Sequence, residues 1–288
     1  MKIGVIVATF GRAREAAELV RDLSAQTRLP DRVLFVVARE EDAPEASDFC
    51  EVLLSEKQGS CAQRNAGIDV LQDDVDALLF LDDDFVPHPT FIDVLVSVFE
   101  GDPGIVGVTG HVTADGVTGP GLSREEALAS VAAGPEKVAD LPEFEPRWSL
   151  YGCNMAIRSA ALGAARFDEG LPLYGWLEDM DLTCPLGKTG KLVQANRLIG
   201  AHRGVKNGRT PGVRFGYSQI ANPVHLLRKG TAPRRIMYEN MAWNLSANAL
   251  KSLRPEPHVD RRGRLRGNLI ALWHLLTGRC KPARILEL

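Results

Sequence analysis

Ala77-Leu78-Leu79-Phe80-Leu81-Asp82-Asp83-Asp84 carries an unbroken apolar run into three consecutive aspartates. A half-exposed strand alternates apolar and polar residues, whereas a strand covered on both faces does not. Asp76–Leu81 is therefore predicted as a buried strand with the acids at its carboxyl end. The same reading extends outward. Lys2–Ala8 and Arg32–Ala38 are apolar runs of strand length. Arg12–Gln26 places Ala16, Leu19, Val20 and Leu23 at helical spacing. Gln58–Leu71 and Pro89–Phe99 read as further helices, and Ile105–Thr113 as a further strand. Alternating strands and helices predict an α/β fold, a Rossmann-like mixed, mostly parallel sheet flanked by helices. Ligands of such sheets bind beyond the carboxyl ends of the strands, which is where the three aspartates fall.

Beyond Thr113 the pattern weakens. Thr113–Pro146 is rich in Gly, Pro, Ala and Glu and predicts loops with one short helix near Arg124–Val131. Apolar sequence resumes over Trp148–Arg158. Gly175–Leu186 combines an aromatic residue, an acidic cluster and a helix, and Lys191–Ile199 is a strand that ends near His202. Gly204–Gly216 reads as a mobile loop with Lys206, Arg209 and Arg214 as its positive charges. From Gln219 the pattern is helical, which predicts a helical C-terminal extension over residues 217–288.

Composition narrows the function classes. The 288 residues, 45% hydrophobic, can bury a sizeable core. A net charge of −3 gives no global basic field, so nucleic acid is not expected as a partner. The five cysteines are scattered with no CxxC pair, which reads as reduced thiols of a cytoplasmic protein rather than a zinc site. Nothing at the N-terminus reads as a signal peptide, and no apolar run approaches the roughly 20 residues needed to span a bilayer.

Two acidic clusters carry the chemistry. Adjacent carboxylates repel, and clustered anionic oxygens at a strand end suit a hard cation such as Mn²⁺ or Mg²⁺, which can bridge phosphate oxygens. A solvated acidic turn has the same composition; the position after a buried strand favours the metal. In Trp176-Leu177-Glu178-Asp179-Met180-Asp181, Glu178 and Asp181 share a helical face. A carboxylate there can take the proton of an attacking hydroxyl, although acids are also favoured at helix N-termini for electrostatic reasons alone. His202, at the end of a strand, could complete a metal site.

Three segments in this order resemble family 2 glycosyltransferases with the A-type nucleotide-sugar-binding fold. They are Val5–Arg12; Gly59 through Ala62-Gln63-Arg64-Asn65-Ala66-Gly67-Ile68 to Asp82-Asp83-Asp84; and Asn154–Arg158 through Arg166-Phe167-Asp168-Glu169 and Glu178-Asp179-Met180-Asp181-Leu182 to Gly200-Ala201-His202. The resemblance spans roughly residues 2 to 205 and implies a metal-dependent transfer of a sugar from a nucleoside diphosphate donor, a UDP-sugar favoured, with inversion at the anomeric carbon. It implies that Asp84 ligates the metal with His202 and Asp82, and that Asp82 or Asp83 lies near the donor ribose. Thr9 and Arg12 would line the nucleotide site, with Arg64 and Asn65 near the donor. Asp179 would be the general base with Glu178 beside it, and Trp176 and Asn154 would face the acceptor. The family's acid after the second strand is replaced by Val37-Ala38-Arg39-Glu40-Glu41-Asp42, and Glu40 is the expected substitute for contact with the base. These roles divide the chain into a nucleotide-binding half of about residues 1–112, an acceptor-binding half of about 113–216, and the extension.

The acceptor is expected to be a glycan or a lipid-linked molecule, in polysaccharide or glycolipid assembly. Arg261, Arg262, Arg264 and Arg266 precede Leu269–Leu276 with Trp273, a pattern that can sit on the inner face of an anionic membrane or pack as an ordinary helix. Three rivals stand beside this reading. Asp82-Asp83-Asp84 has the strand–D–x–D form of a haloacid-dehalogenase phosphatase, with Asp82 as nucleophile, but that motif usually opens the chain and leaves Arg64 and Glu178-Asp179 without a role. A nucleotidyltransferase would need a glycine-rich basic first turn, which is absent. A sugar-binding protein without activity would need no base.

Overall fold

The computed structural model describes every residue except Ala46 and Arg209, so the expectation attached to Arg209 lies outside the described residues. In chain order the elements are β1 (Ile3–Thr9), α1 (Ala13–Ser24), β2 (Arg32–Val37), β3 (Glu51–Leu54), α2 (Ser60–Leu71), β4 (Ala77–Asp82), β5 (Phe85–Pro87), α3 (Phe91–Gly101) and β6 (Ile105–Asp115). There follow α4 (Arg124–Ala132), α5 (Gly134–Lys137), β7 (Phe144–Pro146), β8 (Asn154–Arg158), α6 (Ser159–Leu162), α7 (Glu178–Leu186) and β9 (Lys191–His202). The helices α8 (Gly212–Lys229), α9 (Arg234–Lys251) and α10 (Arg261–Leu276) complete the chain before a short 3-10 segment, Pro282–Glu287.

Among the described residues one mixed sheet has the order β3-β2-β1-β4-β8-β6-β9-β5, with β7 against β9. β1 is parallel to β2 and β4, while β8 is antiparallel to both β4 and β6. β6 and β9 are parallel to each other, so β1, β4, β6 and β9 all point the same way. The apolar runs form central strands because both of their faces are covered. Val5, Val7, Leu79 and Leu81 enter one core with Leu19 and Leu23 of α1 and Leu95 of α3. Ile6, Leu78 and Phe80, one residue out of phase, enter the opposite core with Ile68 of α2, Leu182 of α7 and Leu226 of α8. Phe80 is fully buried, and Phe80→Ala would cost about 3–5 kcal/mol.

The carboxyl ends of four strands therefore bring Thr9, Asp82, Asp115 and His202 to one edge of the sheet. Bulges in the β6–β9 ladder re-register the strands so that Asp115 pairs with His202. The apolar pattern alone ends β6 at Thr113 and β9 at Ile199, short of both residues.

The expected loop Gly204–Gly216 is corrected at its end by α8, which already begins at Gly212. Pro211, Gly212 and Gly216 read as loop residues, but the glycines serve a helix contact. A Cβ on Gly216 would lie 2.0 Å from the Arg264 carbonyl oxygen, and one on Gly267 would lie 2.0 Å from that of Val213. The backbones of α8 and α10 thus touch where a side chain would separate them. Leu226 of α8 and Met237 of α9 are buried in the sheet's second core, so the extension is seated on the sheet. Among the described residues no helix is long and apolar enough to cross a membrane.

Candidate active site

Asp82, Asp83 and Asp84 follow one another in sequence but face different partners. Asp83 is buried and fully engaged: Thr9 Oγ1 donates to its Oδ2 at 2.5 Å, and Arg12 Nη1 to its Oδ1 at 2.8 Å. Burial pushes its pKa up to about 7, against the pull of Arg12. Asp84 turns the other way. Its Oδ2 accepts from Val205 N at 2.7 Å, while its buried Oδ1 has no hydrogen-bond partner. That orphaned oxygen lies 3.3 Å from His202 Nε2, and Asp82 Oδ2 lies 3.7 Å from the same nitrogen.

One ligand atom from each of Asp82, Asp84 and His202 falls within a 4.8 Å cluster. Two carboxylates and an imidazole are a donor set for Mn²⁺ or Mg²⁺, and a buried carboxylate oxygen without a donor is the feature a cation would satisfy. The residues fit such an ion. His202 is oriented from behind, where Asp115 Oδ1 lies 3.3 Å from Nδ1 and Tyr151 Oη donates to Asp115 Oδ2 at 2.8 Å. A carboxylate behind the ring leaves Nε2 aimed into the site. Burial lowers the affinity of His202 for its proton, but Asp115 and Asp84 outweigh it and raise the pKa to about 10. Neither Asp115 nor Tyr151 stands out in the sequence; the signal available is an acid at the end of a strand parallel to β4.

Arg64 joins this cluster to the second one. It is 3% exposed and projects from α2, donating through Nη1 to Glu178 Oε1 at 2.7 Å and through Nη2 to Asp82 Oδ1 at 2.9 Å. Burial, with the neighbouring Asp179, pushes Glu178 up to about 8 even against Arg64. The turn leading into α7 is strained: Leu173 has φ 61° and Leu177 has φ 75°, a region that costs a non-glycine residue about 1–3 kcal/mol. Ser60 N donates to the Leu173 carbonyl and Asn222 Nδ2 to that of Trp176, which pins the turn from α2 and α8. The turn starts α7 with Glu178 directed at Arg64 and Asp179 at Gly152 N. Asp179 Oδ2 accepts from Gly152 N at 3.0 Å and Oδ1 from Met180 N at 2.7 Å. Burial raises its pKa, and these two backbone bonds oppose the rise. Asp181 is turned away and locked by Lys229 and Thr231.

The remaining expected residues divide. Arg12 reaches the cluster and also donates to the carbonyls of Val205 and Asn207, so the segment after β9 lies over Asp84. Lys206 donates to the carbonyls of Gly116 and Val117, and Arg214 of α8 to that of Leu288, away from the acids. Asn65 holds the Phe167 backbone through both ends of its amide. Asn154 is fully buried and bonded to Thr109 and Gly110 within the sheet, so its amide supports the strands. Trp176 is half-buried with its ring 5.9 Å from that of Phe215. Glu40 is exposed beyond β2, and the buried acid of that segment is Asp42, which pairs with Arg39. Arg39 in turn lies 4.4 Å over the Phe10 ring.

The profile of glycosyl transferase family 2 matches residues 4–164, more than half of the chain. The chain belongs to glycosyl transferase family 2. The match takes in β1, Arg64 and the β4 aspartates, and this family 2 chain resembles a named relative over a similar share. Glucosyl-dolichyl phosphate glucuronosyltransferase of Haloferax volcanii is 32% identical over 166 residues, 54% of this chain. The chain spans only 46% of that relative's length. Solved structures share the fold. Residues 1–349 of S. aureus TarS align with TM-score 0.57 at 14% identity, covering 96% of this chain and 92% of that one. Glucosyl-3-phosphoglycerate synthase from Mycobacterium tuberculosis, solved with Mn²⁺, UDP and phosphoglyceric acid, aligns with TM-score 0.53 at 20% identity, covering 81% and 79%.

Proposed function

We propose that this family 2 chain is an inverting, metal-dependent glycosyltransferase that moves a sugar from a nucleoside diphosphate donor, a UDP-sugar first among them, to an acceptor hydroxyl. The observation that carries the reading is the link from the Asp82–Asp84–His202 cluster to Glu178, the chain neighbour of Asp179, through the buried Arg64. Asp82, Asp84 and His202 would hold Mn²⁺ or Mg²⁺, which when bound stabilises negative charge on a diphosphate leaving group.

The chain's own residues supply the rest. As the acceptor oxygen forms its bond to the anomeric carbon and the bond to the diphosphate oxygen breaks, Asp179 takes the acceptor proton. Asp179 is favoured over Asp181 because Asp181 is 3% exposed and held by Lys229 and Thr231, whereas Asp179 is more open and receives only backbone donors. Its raised pKa suits a base. Arg64 fixes Glu178 and Asp82 relative to each other, and the segment after β9 shields Asp84 from water. Thr9 and Arg12 act on the donor side by holding Asp83, with about residues 1–112 as the nucleotide half, 113–216 as the acceptor half and 217–288 as the extension. The UDP in the M. tuberculosis structure supports a UDP-sugar, and the name of the Haloferax relative supports a lipid-linked acceptor. A cytoplasmic place in polysaccharide or glycolipid assembly follows from that reading.

The test is release of UDP from a panel of UDP-sugars with Mn²⁺, in the presence of candidate glycan and lipid-linked acceptors, with the product anomer assigned by NMR. UDP release with an inverted linkage is expected. Retained configuration, or phosphate release from sugar phosphates without any UDP-sugar turnover, would overturn the proposal.

A further inference from the structure

We infer that the α9–α10 pair is a docking surface for an anionic lipid bilayer. The two helices are joined by residues 252–260 and tied together by buried amides: Asn248 Nδ2 donates to Asn268 Oδ1 at 2.8 Å, and both residues are fully buried. The inner side of α10 is fixed on α8 by the glycine contact described above. The outer sides are apolar and open. On α10, Arg262, Arg266, Leu269, Trp273 and Leu276 are all exposed at alternating spacings of four and three, one line along the helix. On α9, Trp243, Ser246 and Leu250 make a second such line, with Leu253 exposed just past its end. Trp243 is 76% exposed, Trp273 63%, Leu253 80% and Leu276 83%. Large side chains this open on two neighbouring helices form a surface that a partner covers.

Charge identifies the partner. Residues 251–281 hold eight Lys and Arg against two acids, a net of +6 in a chain whose total is −3, so the remainder carries −9. Both acids are engaged within the segment. Glu256 pairs with Lys251 and Arg261, and Asp260 caps α10 through Gly263 N. A second copy of the chain docking face to face would bring these positive charges against each other. An anionic bilayer complements them, takes Trp and Leu into its headgroup boundary, and gains about 1 kcal/mol for each basic residue near its surface. The basic end of the hairpin also meets the segment that follows β9. A cavity of about 500 Å³ is lined by Lys206, from the segment over Asp84, together with His258, Arg261 and Arg262. That segment also bonds Asp84 through Val205 N, and in proposing a lipid-linked acceptor near this surface the inference rests on the proposed function.

Flotation of the full chain with two vesicle types tests it: phosphatidylcholine alone, and phosphatidylcholine with an equal part of phosphatidylglycerol. The chain is expected to float with the anionic vesicles, less so at high salt, and to stay behind with the neutral ones. Arg262→Gln with Arg266→Gln should weaken anionic binding about tenfold to thirtyfold, and Trp243→Ser with Trp273→Ser should weaken it at least as much. All four side chains are open, so each variant should keep its Mn²⁺-dependent UDP binding, the control for folding. Failure of the wild-type chain to float with anionic vesicles overturns the inference. So does a concentration-dependent dimer that the Trp substitutions dissolve, because the face would then be a self-interface. Vesicle binding and UDP binding fail separately: vesicle binding without UDP binding removes the transferase reading alone, and the reverse removes lipid docking alone.

Discussion

The two acidic clusters look alike in sequence and are balanced in opposite ways. Around α7, Glu178 and Asp181 are neutralised from inside the protein, by Arg64 and Lys229, leaving Asp179 with backbone donors only. At the end of β4, Asp83 has its internal cation in Arg12, but Asp84 keeps a buried oxygen with no hydrogen bond, 3.3 Å from His202 Nε2, and Asp82, held by Arg64 on its other oxygen, faces the same gap. A run of carboxylates therefore does not state its own role. What separates a ligand from a strut is whether the fold already supplies the matching donor, and the cluster left incomplete is the one that requires something from outside.

Substitutions sharpen that contrast. The largest effect is expected at the open acid: Asp179→Asn should lower kcat by 10²–10⁴-fold while UDP affinity stays within about twofold, measured by steady-state kinetics and calorimetry. Equal loss from Asp181→Asn with normal stability would break the distinction drawn between them. Next comes Arg64→Met, which strands Glu178 and Asp82 without their shared cation. Removal of one partner of a buried pair costs about 3–5 kcal/mol, to be read from urea denaturation. Lys229→Met should cost less, about 1–2 kcal/mol, because the lysine is 37% exposed and water takes up part of the loss around Asp181.

The smallest effect concerns acid stability at Asp168. Burial would raise its pKa, but His225 and Lys229 hold it down to about 2. A depressed carboxylate contributes stability that is complete above its unfolded value near 4 and is lost as the pH falls through about 2. The wild-type chain should therefore lose more stability between pH 4 and 2 than Asp168→Asn does, by thermal denaturation. Parallel curves would show that Asp168 contributes nothing through this linkage.

Much of the fold is legible in the amino-acid sequence. The strand Asp76–Leu81 and its acids are readable because burial on both faces removes alternation, and α1 because one of its faces is apolar and buried. The three-residue strands β5 and β7 are not, since so short a segment has no periodicity and exists only through its pairing with β9. Asp115 escapes sequence reasoning for a related reason: bulges carry β6 two residues past Thr113, and only the register with β9 reveals that the acid stands behind His202. Gly212 and Gly216 mislead because glycine in sequence signals a turn, whereas here Gly216 lets α10 touch the α8 backbone. The family resemblance groups Asp82, Asp84 and His202 correctly as neighbours, yet nothing in three consecutive aspartates tells which one turns toward Thr9 and Arg12.

The metal-completed cluster is tested most directly by calorimetric titration of UDP into the chain with Mn²⁺, with EDTA, and into Asp84→Ala with Mn²⁺. Tight binding that requires Mn²⁺ and falls about a thousandfold or more in Asp84→Ala is expected, since the metal contributes several kcal/mol of charge stabilisation. UDP binding of equal strength in EDTA, or unchanged in Asp84→Ala, would contradict the assignment of Asp82, Asp84 and His202 as the site's metal ligands.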